Sequence, residues 1–227
     1  MPRTFKWSEN NTKLKKTAKK WEERFGRRAK IVSFNIPRLK SETGQSTCPY
    51  AGHCADICYA GQGRMSLPMA LAPREFNLDL LNGMTPGQVR DTLVEDIDSF
   101  RTLTHIRIHD SGDFFKRWYY KAWVKAAAEV PEVIFYAYTK SIPFIDWDSH
   151  PPNFRLVQSI GGKRDHDIDL DRPHSRIFAN DRDRGRLKYC DGNESDLPAI
   201  LGQKRIGLVY HGNRGLKTED RLHLSIL

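Results

Sequence analysis

The sequence lacks the features that would place it in a membrane or in an export pathway. No apolar run approaches the ~18 residues that a helix needs to span a bilayer, and the first residues, MPRTFKWSENNTKLKK, contain no apolar stretch typical of a secretory signal. Cysteine is scarce, with only four residues in a chain of 227. We therefore expect a soluble, cytoplasmic protein whose thiols stay reduced and form no disulfides.

Acidic residues are scarce in one segment near the N-terminus. The chain has a formal net charge of +9, and nine basic residues between Lys13 and Lys30 face only Glu22 and Glu23. This segment therefore supplies +7 of the total, and the remainder of the chain is close to neutral. Any affinity for a polyanion should lie in this segment.

The spacing of apolar residues predicts an amphipathic helix over residues 12–25, which Gly26 ends. We assign residues 1–29 to a basic helical extension and residues 30–227 to a second domain. DNA or RNA is the partner that such a helix would contact, and a solvated helix that packs Trp21 on the rest of the protein is the alternative. No membrane partner is expected, and the sequence indicates no oligomeric state.

The rest of the chain alternates short apolar strands with helices. The predicted strands cover residues 30–36, 105–109, 133–138, 154–160, 176–179 and 206–210, and the predicted helices cover residues 66–82, 86–102 and 114–130. This order is typical of parallel α/β architecture. Right-handed crossovers would roll such units into a full or partial TIM-type (β/α) barrel.

Three of the four cysteines lie in a long loop between residues 38 and 63. Cys48, Cys54 and Cys58 have the spacing Cys-x5-Cys-x3-Cys. Thiolates select zinc, copper(I) or iron–sulfur clusters, and the tight Cys-x2-Cys pairs of zinc knuckles are absent. Three thiolates on one loop after the first strand favour a [4Fe–4S] cluster in which each binds a different iron.

The fourth iron of such a cluster has three candidate ligands. Cys190 would close the site and make the cluster structural or electron-transferring. A small molecule would leave the cluster catalytic. His53, on the same loop, is the third candidate.

Polar residues follow three of the predicted strands, at the edge where parallel sheets bind ligands. They lie in residues 109–113, 138–141 and 158–162. The glycines in these segments permit a close approach of the backbone, the acids suit an amine or a ribose hydroxyl, and the lysine suits a carboxylate or a phosphate. For Asp113 the alternative is a plain helix N-cap before Phe114.

Three segments together resemble a family of bacteriophage "gene product" proteins. They are residues 47–60 (TCPYAGHCADICYA), 107–114 (RIHDSGDF) and 135–141 (FYAYTKS), and the resemblance runs over most of the chain from about residue 30. It implies a phage-encoded protein of the host bacterial cytoplasm.

The order of these parts is more distantly similar to radical S-adenosylmethionine (SAM) proteins. There, a three-cysteine loop after the first strand of a partial barrel holds a [4Fe–4S] cluster, and SAM chelates the fourth iron. This resemblance implies a set of cofactor contacts: Ser111, Gly112, Asp113, Tyr138, Lys140 and Gln158. The chain departs from the usual Cys-x3-Cys-x2-Cys spacing, and Ile57 replaces the aromatic residue expected before the last cysteine.

Three functions are therefore compatible with the sequence. The first is an iron–sulfur enzyme of radical SAM type. The second is a cluster-stabilised protein that binds nucleic acid, with Cys190 as the fourth ligand. The third is a zinc-dependent hydrolase that uses His109 and Asp110.

Overall fold

A computed structural model describes residues 3–211. The strands are β1 (Trp7–Ser8), β2 (Ile31–Phe34), β3 (His105–Ile108), β4 (Ile134–Thr139), β5 (Phe154–Ser159), β6 (His174–Phe178), β7 (Cys190–Asp191) and β8 (Arg205–Val209). The helices are α1 (Thr12–Phe25), α2 (Pro68–Gly83), α3 (Pro86–Asp98), α4 (Arg117–Glu129), α5 (Asp181–Arg186) and α6 (Leu197–Ile200). No helix of this part of the chain combines the length and the apolar character needed to cross a membrane.

All eight strands form one sheet in the order β1-β2-β3-β4-β5-β6-β8-β7. Only β1 runs antiparallel to its neighbour, and the other strands are parallel. The prediction of a parallel α/β fold is confirmed. The prediction of a full, closed barrel is wrong. Within residues 3–211, the edge strands β1 and β7 do not pair with each other, so the sheet is open.

Helices α2, α3 and α4 pack on one face of the sheet, which we call the outer face. They bury a continuous apolar core against strands β2 to β5, and the largest side chain in that core is Trp123 of α4. Both crossovers between β2 and β4 therefore pass over the same face. This arrangement leaves the opposite face, which we call the inner face, free for other contacts.

Helix α1 lies on the inner face together with α6. The Asn11 side chain caps the first turn, and Gly26 ends the helix with a φ of 64°, as the sequence predicts. Leu14 is buried against the inner face, and the Trp21 ring contacts the His105 ring at a centroid distance of 4.4 Å. The apolar stripe of the helix is thus covered by the sheet.

The residues before α1 also pack on the body of the protein. Strand β1 pairs with β2, and Phe5 is only 2% exposed. The Asp96 carboxylate on α3 accepts hydrogen bonds from the Phe5 backbone and from the Trp7 indole, both at 2.9 Å. The boundary between residues 29 and 30 stays a prediction, and residues 212–227 of the predicted second domain lie outside the described residues.

Candidate metal centre

The cysteine loop lies at the carboxyl ends of β3, β4 and β5. The Asp113 backbone N–H, just after β3, donates to the Thr47 carbonyl at 3.0 Å. The Cys54 N–H donates to the carbonyl of Gly161, which follows β5, at 3.2 Å. These contacts fix two points of the loop, at Thr47 and Cys54, to the edge where parallel sheets bind ligands.

The three thiols of this loop are half-buried, and each of them interacts electrostatically with the other thiols of the loop. Burial raises the pKa of Cys48 to about 12, and the charges of Asp113, Cys58 and Cys54 add to that effect. Burial also raises the pKa of Cys54, and Cys58 contributes in the same direction, while Lys140 opposes it. In the absence of a bound cation, Cys48 and Cys54 are therefore neutral thiols at pH 7.

Two glycines allow the loop to approach the strand ends this closely. Gly112 has a φ of 86°, and a Cβ atom there would lie 2.3 Å from the Ile36 side chain. A Cβ atom on Gly52 would lie 2.8 Å from the Gly162 backbone. A larger residue at Gly52 would push the cysteine loop away from the end of β5, and one at Gly112 would displace Ile36 and Pro37, which lead into that loop.

Asp113 is not the helix N-cap that the sequence offers as an alternative. Helix α4 begins at Arg117, and the buried Asp113 carboxylate accepts instead from the Thr139 hydroxyl at 2.6 Å and from the Lys140 N–H at 2.8 Å. Burial raises its pKa, although these hydrogen bonds and the Lys140 charge oppose the shift. The carboxylate thus ties the β3 end to the β4 end beneath the thiols.

The Lys140 ammonium also lies beside the cysteine loop. It donates to the Ser159 hydroxyl at 2.6 Å, and its charge lowers the pKa of Cys54 against the effect of burial. The Ser111 hydroxyl is buried and has no hydrogen-bond partner within residues 3–211. The hydroxyl of Thr47, directly before Cys48, is likewise buried and has no hydrogen-bond partner among those residues.

Two predicted contacts of a cofactor are engaged elsewhere. Gln158 is fully buried, and its amide holds the backbone of Asp169 through bonds of 2.7 and 2.9 Å. The Tyr138 hydroxyl lies 3.5 Å from the Asp196 carboxylate on the inner face. Both side chains therefore stabilise the scaffold rather than reach the cysteine loop.

Cys190 is not brought to the other three cysteines. It lies in β7, the edge strand beyond β8, where its thiol donates to the Arg205 carbonyl at 3.0 Å. Burial raises its pKa, and its charged neighbours are Arg184 and Asp191, with none of the other thiols among them. Its position gives no support to a closed four-cysteine site.

A buried ion network on the inner face is absent from the sequence-based predictions. Arg107 contacts Asp110 at 2.8 Å and Asp196 at 2.6 Å. Burial would raise the pKa of Asp196, but the charges of Arg107 and Lys13 outweigh it and keep that pKa below its usual value. The one feature of the sequence that could have indicated this network is the charged Arg107 in the middle of the alternating strand pattern HIRIH.

This network reaches the cysteine loop through Tyr59. Its hydroxyl donates to the Asp110 carbonyl at 2.5 Å and lies 3.5 Å from the Arg107 guanidinium. Because Tyr59 directly follows Cys58, these contacts fix the position of the last thiol relative to β3.

His109 and Asp110 do not converge on a common point. The His109 Nε2 atom pairs with the Tyr119 hydroxyl at 2.9 Å, and burial together with the Arg107 charge lowers the pKa of His109 to about 3. In the described part of the chain, no three His, Cys, Asp or Glu residues are arranged to hold a metal ion, and this includes Cys48, Cys54 and Cys58. A hydrolytic zinc site at these residues gains no support.

Comparisons with known proteins agree on the family. The profile of a family described as Gene product 88 matches residues 5–219. The chain is 32% identical over 126 residues to the Gene 88 protein of Mycobacterium phage L5 and 31% identical to that of Mycobacterium phage D29. Each match covers 51% of this chain and 51% of the relative, so the chain spans about half the length of these curated relatives. No solved structure matches it.

Proposed function

The chain belongs to the Gene product 88 family of phage proteins, and we propose that it is an iron–sulfur protein of radical SAM type. Cys48, Cys54 and Cys58 hold three irons of a [4Fe–4S] cluster, and a small molecule occupies the fourth. One observation carries this proposal: three neighbouring thiols of one loop lie over the carboxyl ends of parallel strands, while the fourth cysteine lies at the sheet edge.

The residues around the thiols fit a cluster better than a single ion. A cubane presents a different iron to each thiolate, so its ligands need not converge on one point. Bound iron deprotonates a coordinating thiol, which reverses the effect of burial on Cys48 and Cys54. Lys140 beside Cys54 and Arg74 beside Cys58 would offset the negative charge that results.

The strand ends suggest how SAM would be held. The unpartnered Ser111 hydroxyl and the close backbone approach at Gly112 leave room for polar contacts, and the Lys140 ammonium suits a carboxylate. Asp113 positions Lys140 by accepting its backbone N–H. Tyr138 and Gln158, the other cofactor contacts that the resemblance implies, hydrogen-bond Asp196 and Asp169 and would act on SAM through the scaffold. When bound together, the cluster and SAM supply one-electron reductive cleavage of SAM.

The connections of the sheet are compatible with a partial barrel. Helices α2, α3 and α4, which connect β2, β3 and β4, lie on the outer face, as they would in a barrel, while α1 and α6 cover part of the inner face. An open partial barrel of this kind would expose its strand ends to a ligand under the cysteine loop.

The experiment is anaerobic purification followed by iron and sulfide analysis. We expect about four irons and four sulfides per chain, loss of both in Cys48→Ala and Cys58→Ala, and retention of both in the matched variant Cys190→Ala. Reduction in the presence of SAM should release 5′-deoxyadenosine. Zinc without sulfide would overturn the cluster, and loss of iron from Cys190→Ala would favour a closed, structural cluster.

A further inference from the structure

We propose that the exposed face of α1 binds single-stranded nucleic acid. This basic face carries the exposed cations Lys15, Lys16 and Lys19 together with the exposed acid Glu23, and the exposed Arg24 lies at its edge further along the helix. The inference goes beyond the proposed cluster chemistry and rests on different residues.

The orientation of α1 is fixed, so its basic residues must face outward. Thr17 is buried and its hydroxyl accepts the Asp196 N–H at 2.8 Å, while the Lys13 ammonium contacts the Asp196 carboxylate at 2.9 Å. Leu14 is also buried on that side of the helix. The lysines between these anchors project away from the sheet by the helical period.

Several cations of this segment already have acidic partners, but the basic face keeps an excess. Lys20 pairs with Glu194, Lys19 of the basic face contacts Glu23 at 3.7 Å, and Lys30 contacts Glu9 at 3.4 Å. Within residues 3–211, however, Lys15, Lys16 and Arg24 make no ion pair with an acid, and neither does the exposed Arg27. A row of uncompensated cations attracts a polyanion.

An aromatic ring at the end of the row favours a single strand. Phe25 is 41% exposed, beside Trp21 at a centroid distance of 4.3 Å and beneath the Arg24 guanidinium at 5.6 Å. Unpaired bases stack on exposed rings of this kind, whereas the bases of a duplex are already stacked. Phosphates would follow the lysines while a base contacts Phe25.

The same packing argues against a membrane surface as the partner. An amphipathic helix binds lipid by burying its apolar face among the acyl chains. Apart from Phe25, the apolar stripe of α1 is covered by the sheet and α6, so the helix has no continuous apolar face to bury in a bilayer. Electrostatic contact with phosphates is then the main interaction that this helix can offer.

The helix also leads toward the cysteine loop. Asn11, before its first turn, bonds Asp110 at the carboxyl end of β3, and Trp21 contacts His105 at the start of the same strand. The helix therefore runs antiparallel to β3. A single strand of nucleic acid bound along the basic face would extend toward the edge of the sheet that carries Cys48, Cys54 and Cys58.

The test compares two triple variants of the full chain by fluorescence anisotropy with a labelled oligodeoxythymidine over a range of salt concentrations. Lys15→Gln, Lys16→Gln and Lys19→Gln remove three charges from α1. The matched control, Lys116→Gln, Lys121→Gln and Lys125→Gln, removes three exposed charges on the opposite side of the sheet. Removal of residues 1–29 is unsuitable because Phe5 and Leu14 belong to the core.

We expect the α1 variant to reduce the magnitude of the slope of log affinity against log salt concentration by about 2. This corresponds to a loss of roughly 100-fold in affinity near 0.1 M salt. The control should bind like the wild type. Phe25→Ala should weaken binding of the oligonucleotide about tenfold and leave the affinity for duplex DNA unchanged. Equal slopes for the two triple variants, no binding by the wild type, or binding to phosphatidylserine vesicles alone would overturn the proposal.

Discussion

The two faces of the sheet are stabilised by different interactions. On the outer face, aromatic and aliphatic side chains pack around the fully buried Trp123. On the inner face, the buried Arg107 links Asp110 and Asp196, and Lys13 of α1 completes the ion network. The outer face therefore carries the larger hydrophobic core, whereas the inner face combines a smaller hydrophobic cluster with the buried ion network, which we call the charged core.

This difference assigns separate tasks to the two faces. Apolar packing is non-directional and contributes most of the stability of a domain. Buried ions lose hydration and add little net stability, but they fix the positions of the groups they join. Here the ions join α1, α6 and the segment after Cys58, so the inner face positions the cysteine loop and the N-terminal helix.

The largest effect should come from a cavity on the outer face. Trp123→Ala removes a ring that packs against Phe34 at a centroid distance of 5.2 Å, and the free energy of unfolding in urea should fall by about 4 kcal/mol. Phe76→Ala, at an aromatic residue that is 41% exposed, is the control and should have little effect. Equal losses for the two variants would mean that the outer face is not the main core.

The next effect should come from the ion network of the inner face. Asp196→Asn leaves Lys13 and one side of Arg107 without their carboxylate, and we expect a loss of about 3 kcal/mol in the free energy of unfolding. In the control, Asp171→Asn, an exposed ion pair with Lys204 is lost, and stability should not change. If both variants are as stable as the wild type, the charged core does not contribute to the stability of the fold.

A smaller effect should appear as pH dependence. Burial lowers the pKa of His105 to about 4, and burial together with the Arg107 charge lowers that of His109 to about 3. Both rings are neutral in the folded protein and gain a proton on unfolding below pH ~6.5, so stability falls as pH decreases, by about 2 kcal/mol per histidine at pH 5.

The variant His109→Asn isolates one of these contributions. Asparagine tolerates the φ of 71° at this position and does not titrate. Between pH 7 and pH 5, the free energy of unfolding of the variant should therefore fall by about 2 kcal/mol less than that of the wild type. Urea denaturation at each pH measures this difference. An identical pH dependence in the two proteins would show that His109 is not buried in its neutral form.

The smallest effect should come from the link between the inner face and the cysteine loop. Tyr59→Phe removes the hydrogen bond to the Asp110 carbonyl and should cost about 1 kcal/mol, with faster loss of iron to a chelator. Tyr50→Phe is a matched change in the same loop, since the Tyr50 hydroxyl has no hydrogen bond in the described structure. If the two variants lose iron at the same rate, Tyr59 does not hold Cys58.

Much of the fold could be predicted because its central elements carry strong periodic patterns. Helix α1 has the predicted bounds, and β3, β4 and β5 differ from prediction by one residue at most at each end. The strands β1 and β7 have only two residues each, too few to show any period. Helix α4 begins three residues later than predicted, because Asp113 bonds the β4 end and not the helix.

The candidate site was predicted only where its residues are close in sequence. The three-cysteine loop and the strand ends around Asp113 and Lys140 could be found from spacing alone. Asp196 could not, because its partners Arg107 and Lys13 lie far away along the chain, and the pairing of distant charges leaves no local pattern. The sequence left Cys190 open as a fourth ligand for the same reason, since sequence does not reveal its distance from the loop.

The most direct test of the central claim is electron paramagnetic resonance of the reduced Cys190→Ala variant, recorded with and without SAM. Because we infer that Cys48, Cys54 and Cys58 alone hold the cluster and leave one iron open, the variant should show a [4Fe–4S]⁺ signal that shifts when SAM is added. A variant without a cluster, or a cluster signal that SAM leaves unchanged, would contradict the account.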